Sequence, residues 1–126
     1  MKIGITSQNF RTITGHAGKT RRFFVHDVDD SGAWREPTRL DLPKSMSLHE
    51  YHGQDHPLFD LDVLITAGCG ENFRRRMQQH NVRVVATAAT DPEETLKRYL
   101  DGETLPPAEP HEHGKSLSPS TVSLSP

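Results

Sequence analysis

The chain has 126 residues, of which 33% are hydrophobic and 25% charged, with a formal net charge of −2. This is one domain's worth of protein, and no apolar run approaches the ~18–20 residues that span a bilayer. Residues 1–102 carry 14 basic and 14 acidic residues, a neutral balance that argues against sequence-independent nucleic-acid binding, which rests on many Lys/Arg–phosphate contacts.

Residues 2–7 (Lys-Ile-Gly-Ile-Thr-Ser) alternate isoleucine with smaller residues and read as a short strand; they lack the long apolar stretch of a secretory signal. Residues 8–20 form a connection holding Gly15 and Gly18, long enough to suggest function. Residues 22–28 (Arg-Phe-Phe-Val-His-Asp-Val) read as a second strand, followed by the turn Asp29-Asp30-Ser31-Gly32. Residues 34–42 read as a third strand paired with it, and Pro37 moves that strand towards the sheet edge. Residues 43–57 are irregular and contain His49, His52 and His56.

Residues 60–66 (Asp-Leu-Asp-Val-Leu-Ile-Thr) contain the continuous apolar run of a buried parallel strand. Gly68-Cys69-Gly70 turns the chain into a helix from about Glu71 to His80, with Phe73 and Met77 on one face. Residues 82–86 form another buried strand. A second helix starts with Asp91 as N-cap, Pro92 at the first helical position and Glu94 closing a capping-box-like arrangement. Leu96, Tyr99 and Leu100 make its apolar stripe, Glu93–Lys97 and Glu94–Arg98 are spaced as i, i+4 ion pairs, and Gly102 marks its stop. Residues 103–126 hold one Lys, three Glu, five of the nine prolines and seven Ser/Thr, and are expected to be a disordered Pro/Ser-rich tail. The element order predicts an α/β fold. It has a mixed sheet of about five strands, a right-handed βαβ unit in its second half, and flanking helices.

These residues resemble the dinitrogenase iron–molybdenum cofactor biosynthesis family, of the NifX, NafY and NifB C-terminal type, over residues 1–102. The marks are the first strand, then Gly15-His16-Ala17-Gly18 leading into residues 22–28, then residues 61–70 ending in Gly68-Cys69-Gly70, and last the strand and capped helix of residues 82–102. The family's loop usually reads His-Phe-Gly, and here Ala17 replaces the phenylalanine. The resemblance implies a ribonuclease-H-like fold. It also implies binding or carrying of the iron–molybdenum cofactor or an iron–sulfur precursor cluster, with nitrogenase assembly proteins as partners.

By the same resemblance His16 is the family's loop histidine and the first candidate ligand. Imidazole suits iron and other transition metals, and Gly15 and Gly18 would let a bulky cluster approach the backbone. The competing reading is an ordinary exposed loop histidine. Cys69, at a predicted helix N-terminus, is expected to have a lowered pKa and to be a soft thiolate ligand. Its competing role is a small residue tucked against the sheet. The N–H groups of Gly68-Cys69-Gly70 could hold an anion. Arg11, Lys19, Arg21 and Arg22 could add charge near His16, and most of Arg74, Arg75 and Arg76 read as a solvated basic face.

His49, His52 and His56 read as solvated loop histidines, the alternative being a loop folded over a cluster held by His16. His26 reads as a hydrogen-bonded structural residue, and His111-Glu112-His113 as incidental. The leading function is therefore a non-enzymatic, cytoplasmic cluster binder or carrier with no catalytic residues, no membrane partner and no nucleic-acid partner. A lone cysteine fits a reducing compartment. One alternative is an interaction or regulatory module of the same fold. A metal-dependent ribonuclease-H-like hydrolase is disfavoured, because the first strand has no acidic residue and Asp27, Asp60 and Asp62 lack a central carboxylate to anchor metals.

Overall fold

The computed structural model describes residues 1–108. The elements are β1 (Lys2–Thr6), β2 (Arg22–Asp27), β3 (Thr38–Asp41), β4 (Val63–Thr66), α1 (Glu71–Gln79), β5 (Arg83–Ala86) and α2 (Pro92–Leu100), with single 3-10 turns at Lys44–Met46 and Pro57–Asp60. They build one five-stranded sheet in the order β3-β2-β1-β4-β5. β1 pairs antiparallel with β2 and parallel with β4; β3 is antiparallel to β2, and β5 parallel to β4. The chain is thus α/β with a mixed sheet and two helices.

Alternation along the strands divides the core into two layers. Ile3, Ile5, Phe24, Val63 and Ile65 point to one face and meet Leu96 of α2 and Ile13 of the first long loop. Phe23, Leu64 and Val84 point to the other and meet Met77 of α1 with Leu42, Leu48, Leu58 and Leu61. Met77 and Leu96 are fully buried, a burial that contributes roughly 1.5–3 kcal/mol each. Position 4 is glycine for a packing reason: a Cβ there would sit 2.5 Å from a methyl of Leu61. Leu61 can close over the centre of β1 only because nothing projects from it.

The N-cap and the stop of the second helix are realised, whereas among the described residues the expected Glu93–Lys97 pair and the reciprocal Glu94 bond of a capping box are not formed. Asp91 accepts the N–H of Glu94 at 3.0 Å. Gly102 has φ +79° and donates to Tyr99 O while Glu103 donates to Arg98 O, a Schellman stop. Arg98 pairs with Glu103 at 3.3 Å rather than with Glu94, because the helix stop folds Glu103 back beside it. The third strand is shorter than expected: Trp34 makes only an isolated bridge to Val28, and Pro37, which has no N–H, interrupts the ladder before β3.

Beyond Gly102 the chain continues against the domain. Thr87 Oγ1 and the N–H of Ala88 both donate to Pro106 O, at 2.7 and 3.1 Å. Residues 109–126 of the expected tail, including His111, Glu112 and His113, lie outside the described residues. No helix of the described residues is long and apolar enough to cross a membrane.

Candidate functional site

The parallel strands β1 and β4 end side by side in Thr6 and Thr66, the edge at which open α/β sheets present ligands. Both threonines are fully buried, and their hydroxyl oxygens lie 2.9 Å apart. Together they serve the loops that leave these strands. Thr6 Oγ1 donates to Thr14 O, and Thr66 Oγ1 sits 3.2 Å from both Thr14 O and Gly68 O and accepts from the N–H of Gly68. Backbone bonds add to this: the N–H of Ala67 donates to Thr14 O at 3.1 Å, and that of Ala17 to Gly68 O at 3.2 Å. The loop bearing His16 and the turn bearing Cys69 are therefore held as one unit.

His16 is exposed and has φ +53°. Its carbonyl accepts the N–H groups of Lys19 and Thr20 and the Thr20 hydroxyl. None of Gly15, Gly18, Gly68 or Gly70 has a positive φ. Between Gly15 and Gly18 the left-handed position is the histidine itself, as Phe10 is earlier in the same connection, a conformation that costs a side-chain-bearing residue about 1–2 kcal/mol. Such local strain clusters at functional positions.

His16, Ala17, Gly18, Lys19, His49, Cys69, Gly70 and Phe73 line an open cleft of about 260 Å³. It therefore unites four of the predicted residues, His16, Gly18, Cys69 and Gly70, while Gly15 stands behind it against the Ala67–Gly68 backbone. Of the four cations near His16 in sequence only Lys19 reaches the cleft. Arg22 pairs with Asp41 at 3.4 Å and Arg11 borders another cleft on the α2 side.

Cys69 does not have the lowered pKa expected at a helix start. The thiol is half-buried on the α1-side core, and burial pushes it above the ordinary thiol range. Glu71 reinforces the shift, and Arg74 opposes it. Desolvation of the charged form outweighs the helix dipole.

Two arginines of the expected solvated face are structural. Arg74 donates to Val84 O at 2.8 Å, and Arg76 reaches across to Leu48 O at 2.7 Å and to Tyr51 O. Only Arg75 stays on the surface, pairing with Glu71 at 4.0 Å. The three histidines of residues 43–57 also part company. His56 is buried, within 2.6 Å of Met46 O, and accepts the N–H of Leu58. His52 is exposed, and His49 lines the cleft.

His26 is buried without the expected hydrogen bond, its Nδ1 having no partner. Desolvation lowers its pKa, against the opposing pull of Glu93. Asp27 and Asp62 gather at the opposite edge of the sheet from the cleft, at the start of β1, where Asp62 accepts the N–H of Lys2 at 2.8 Å.

The fold recurs in solved structures. PH0822 is 14% identical with a TM-score of 0.63, over 83% of this chain and 96% of that one. A Methanocaldococcus jannaschii protein, mj0327, provisionally named a dinitrogenase, is 13% identical with a TM-score of 0.62, over 82% and 90%. The Thermotoga protein TM1290, provisionally named NifB and assigned to the DUF35 family, is 14% identical with a TM-score of 0.57, over 90% and 98%. At these identities the likeness is one of fold. No curated protein sequence matches the chain. The sequence model of the family described as dinitrogenase iron-molybdenum cofactor matches residues 1–102, and the chain belongs to that family.

Proposed function

We propose that this protein binds and carries a metal–sulfur cluster, the iron–molybdenum cofactor or an iron–sulfur precursor of it, in nitrogenase cofactor assembly, and that it does so without catalysing a reaction. The observation that carries this reading is His16, held in a strained left-handed conformation on the rim of the cleft that Cys69 and Gly70 also line. The donor set fits such a cargo. Imidazole and sulfur are ligands for iron and molybdenum clusters rather than for hard cations, and none of the lining side chains is a carboxylate. Lys19 and the N–H groups at the start of α1 favour a net negative occupant. Bound metal would also offset the burial that keeps the Cys69 proton on.

Sparse ligation suits a carrier, because the cargo must leave again. The ribonuclease-H-like assignment of the fold is supported by the strand order, with β2 antiparallel inside an otherwise parallel centre. The hydrolytic use of that scaffold is opposed by Thr6 and Thr66 standing at the strand ends where metal-binding carboxylates would be needed. Residues 1–102 are taken as the cluster-binding unit. Cytoplasmic assembly proteins are taken as its partners, a location the lone cysteine supports.

The test is anaerobic. Purified protein is mixed with isolated iron–molybdenum cofactor, desalted, and analysed for iron and molybdenum. Wild type retains both metals and His16→Ala loses most of them. No retention by wild type would sink the carrier reading.

A further inference from the structure

We propose that His49 is the second side chain that grips the cargo, supplied to the same cleft by a segment separate from the His16 loop; this rests on the carrier reading above. The two histidines come from separate segments and line the same cleft. What distinguishes His49 from its neighbours is how firmly its backbone is held while its imidazole is left in solvent. Its N–H donates to Gly18 O at 2.6 Å, tying it to the loop that carries His16. On either side of it, Arg76 takes the carbonyls of Leu48 and Tyr51, and the Leu48 side chain is buried in the α1-side core. The His49 side chain remains 59% exposed.

A ligand group needs this combination, since a positioned backbone limits the entropy lost when the ring binds. The other histidines of the segment lack it. The His56 ring is engaged by Met46 O and the N–H of Leu58, and His52 is not among the cleft residues. Among the described residues the His49 ring pairs with Glu50, at 3.8 Å between two exposed groups, and such a pair is given up at little cost.

The donors also describe the occupant. Among the described residues no three His, Cys, Asp or Glu side chains converge tightly enough to hold a single metal ion. Imidazoles supplied by two separate segments around one open cleft suit an object wider than one ion. Two nitrogen ligands on separate segments also make release possible one ligand at a time.

The experiment uses the full chain and isolated iron–molybdenum cofactor under anaerobic conditions. Retained molybdenum is titrated, and the electron paramagnetic resonance spectrum of the bound cluster is recorded, for wild type, His16→Ala, His49→Ala and His52→Ala. Circular dichroism confirms that each variant is folded. The expected result is that His49→Ala weakens retention at least about tenfold and alters the spectrum, while His52→Ala matches wild type. Wild-type affinity and spectrum in His49→Ala, alongside loss in His16→Ala, would overturn this proposal and leave the carrier reading standing. Failure of wild type itself to retain cluster overturns both.

Discussion

Thr6 and Thr66 place their hydroxyl oxygens 2.9 Å apart, fully buried between the ends of β1 and β4. Through Thr14 O and the peptide groups of Gly68 this pair fastens the His16 loop to the Cys69 turn. Valine keeps the shape of threonine but removes the hydroxyl. Thr66→Val leaves the buried N–H of Gly68 without its partner and is expected to cost about 1–3 kcal/mol, read as a lower urea midpoint with unchanged slope. An unchanged midpoint would show that the pair does not hold the loops.

His16 is in the left-handed region, so its replacements separate backbone strain from side-chain function. His16→Gly and His16→Ala both remove the imidazole, but only glycine tolerates that φ freely. The glycine variant is expected to be more stable than the alanine variant by about 1 kcal/mol, and both to lose cluster retention alike. Equal stability in thermal melts would mean that the loop relaxes out of the left-handed conformation.

Two buried histidines make stability sensitive to acid. Desolvation is the main reason that both His26 and His56 have pKa values below the ordinary 6.5; Arg76 adds to the effect at His56, and the bond to Met46 O opposes it. The unfolded chain therefore binds protons more readily than the folded one below about pH 6.5. Stability is level above that pH and falls as pH drops through the depressed folded values. His26→Phe removes an unpartnered buried nitrogen as well as a titrating group. Denaturation midpoints from pH 8 to 5 are expected to show a shallower acid loss in this variant, with no loss of stability at pH 8.

Cys69 reactivity reports the same physics at the cleft. Because its thiol is pushed up by burial and by Glu71, alkylation by iodoacetamide at neutral pH should be slower than for a free cysteine. Glu71→Gln removes the reinforcing charge and is expected to speed it. Alkylation faster than the free thiol would restore the activated thiolate that the helix dipole alone suggests.

Much of the fold was legible because local rules and tertiary packing agree. The capped second helix, the Gly102 stop, the apolar run of β4 and the edge position of the third strand all follow from side-chain period, cap chemistry and the lost proline donor. The resemblance centred on His16, and the structure puts that histidine on a cleft. The roles of Arg76, Thr6 and His49 were not legible. Nothing in Arg74-Arg75-Arg76 marks which arginine will meet stray carbonyls of residues 43–57, because those carbonyls lie some 25 or more residues away. The Cys69 expectation failed for a related reason: a helix start is visible in sequence, but the depth at which it is buried is not.

By itself the sequence determined the order and type of the main elements and the family, since these depend on period, composition and ordered motifs along the chain. Only the tertiary structure decided which histidine shares the cleft with His16, which arginines are consumed in holding loops, and that the thiol is masked. Those outcomes depend on desolvation and on hydrogen bonds between distant segments. They exist only once the sheet has brought the ends of β1 and β4 together.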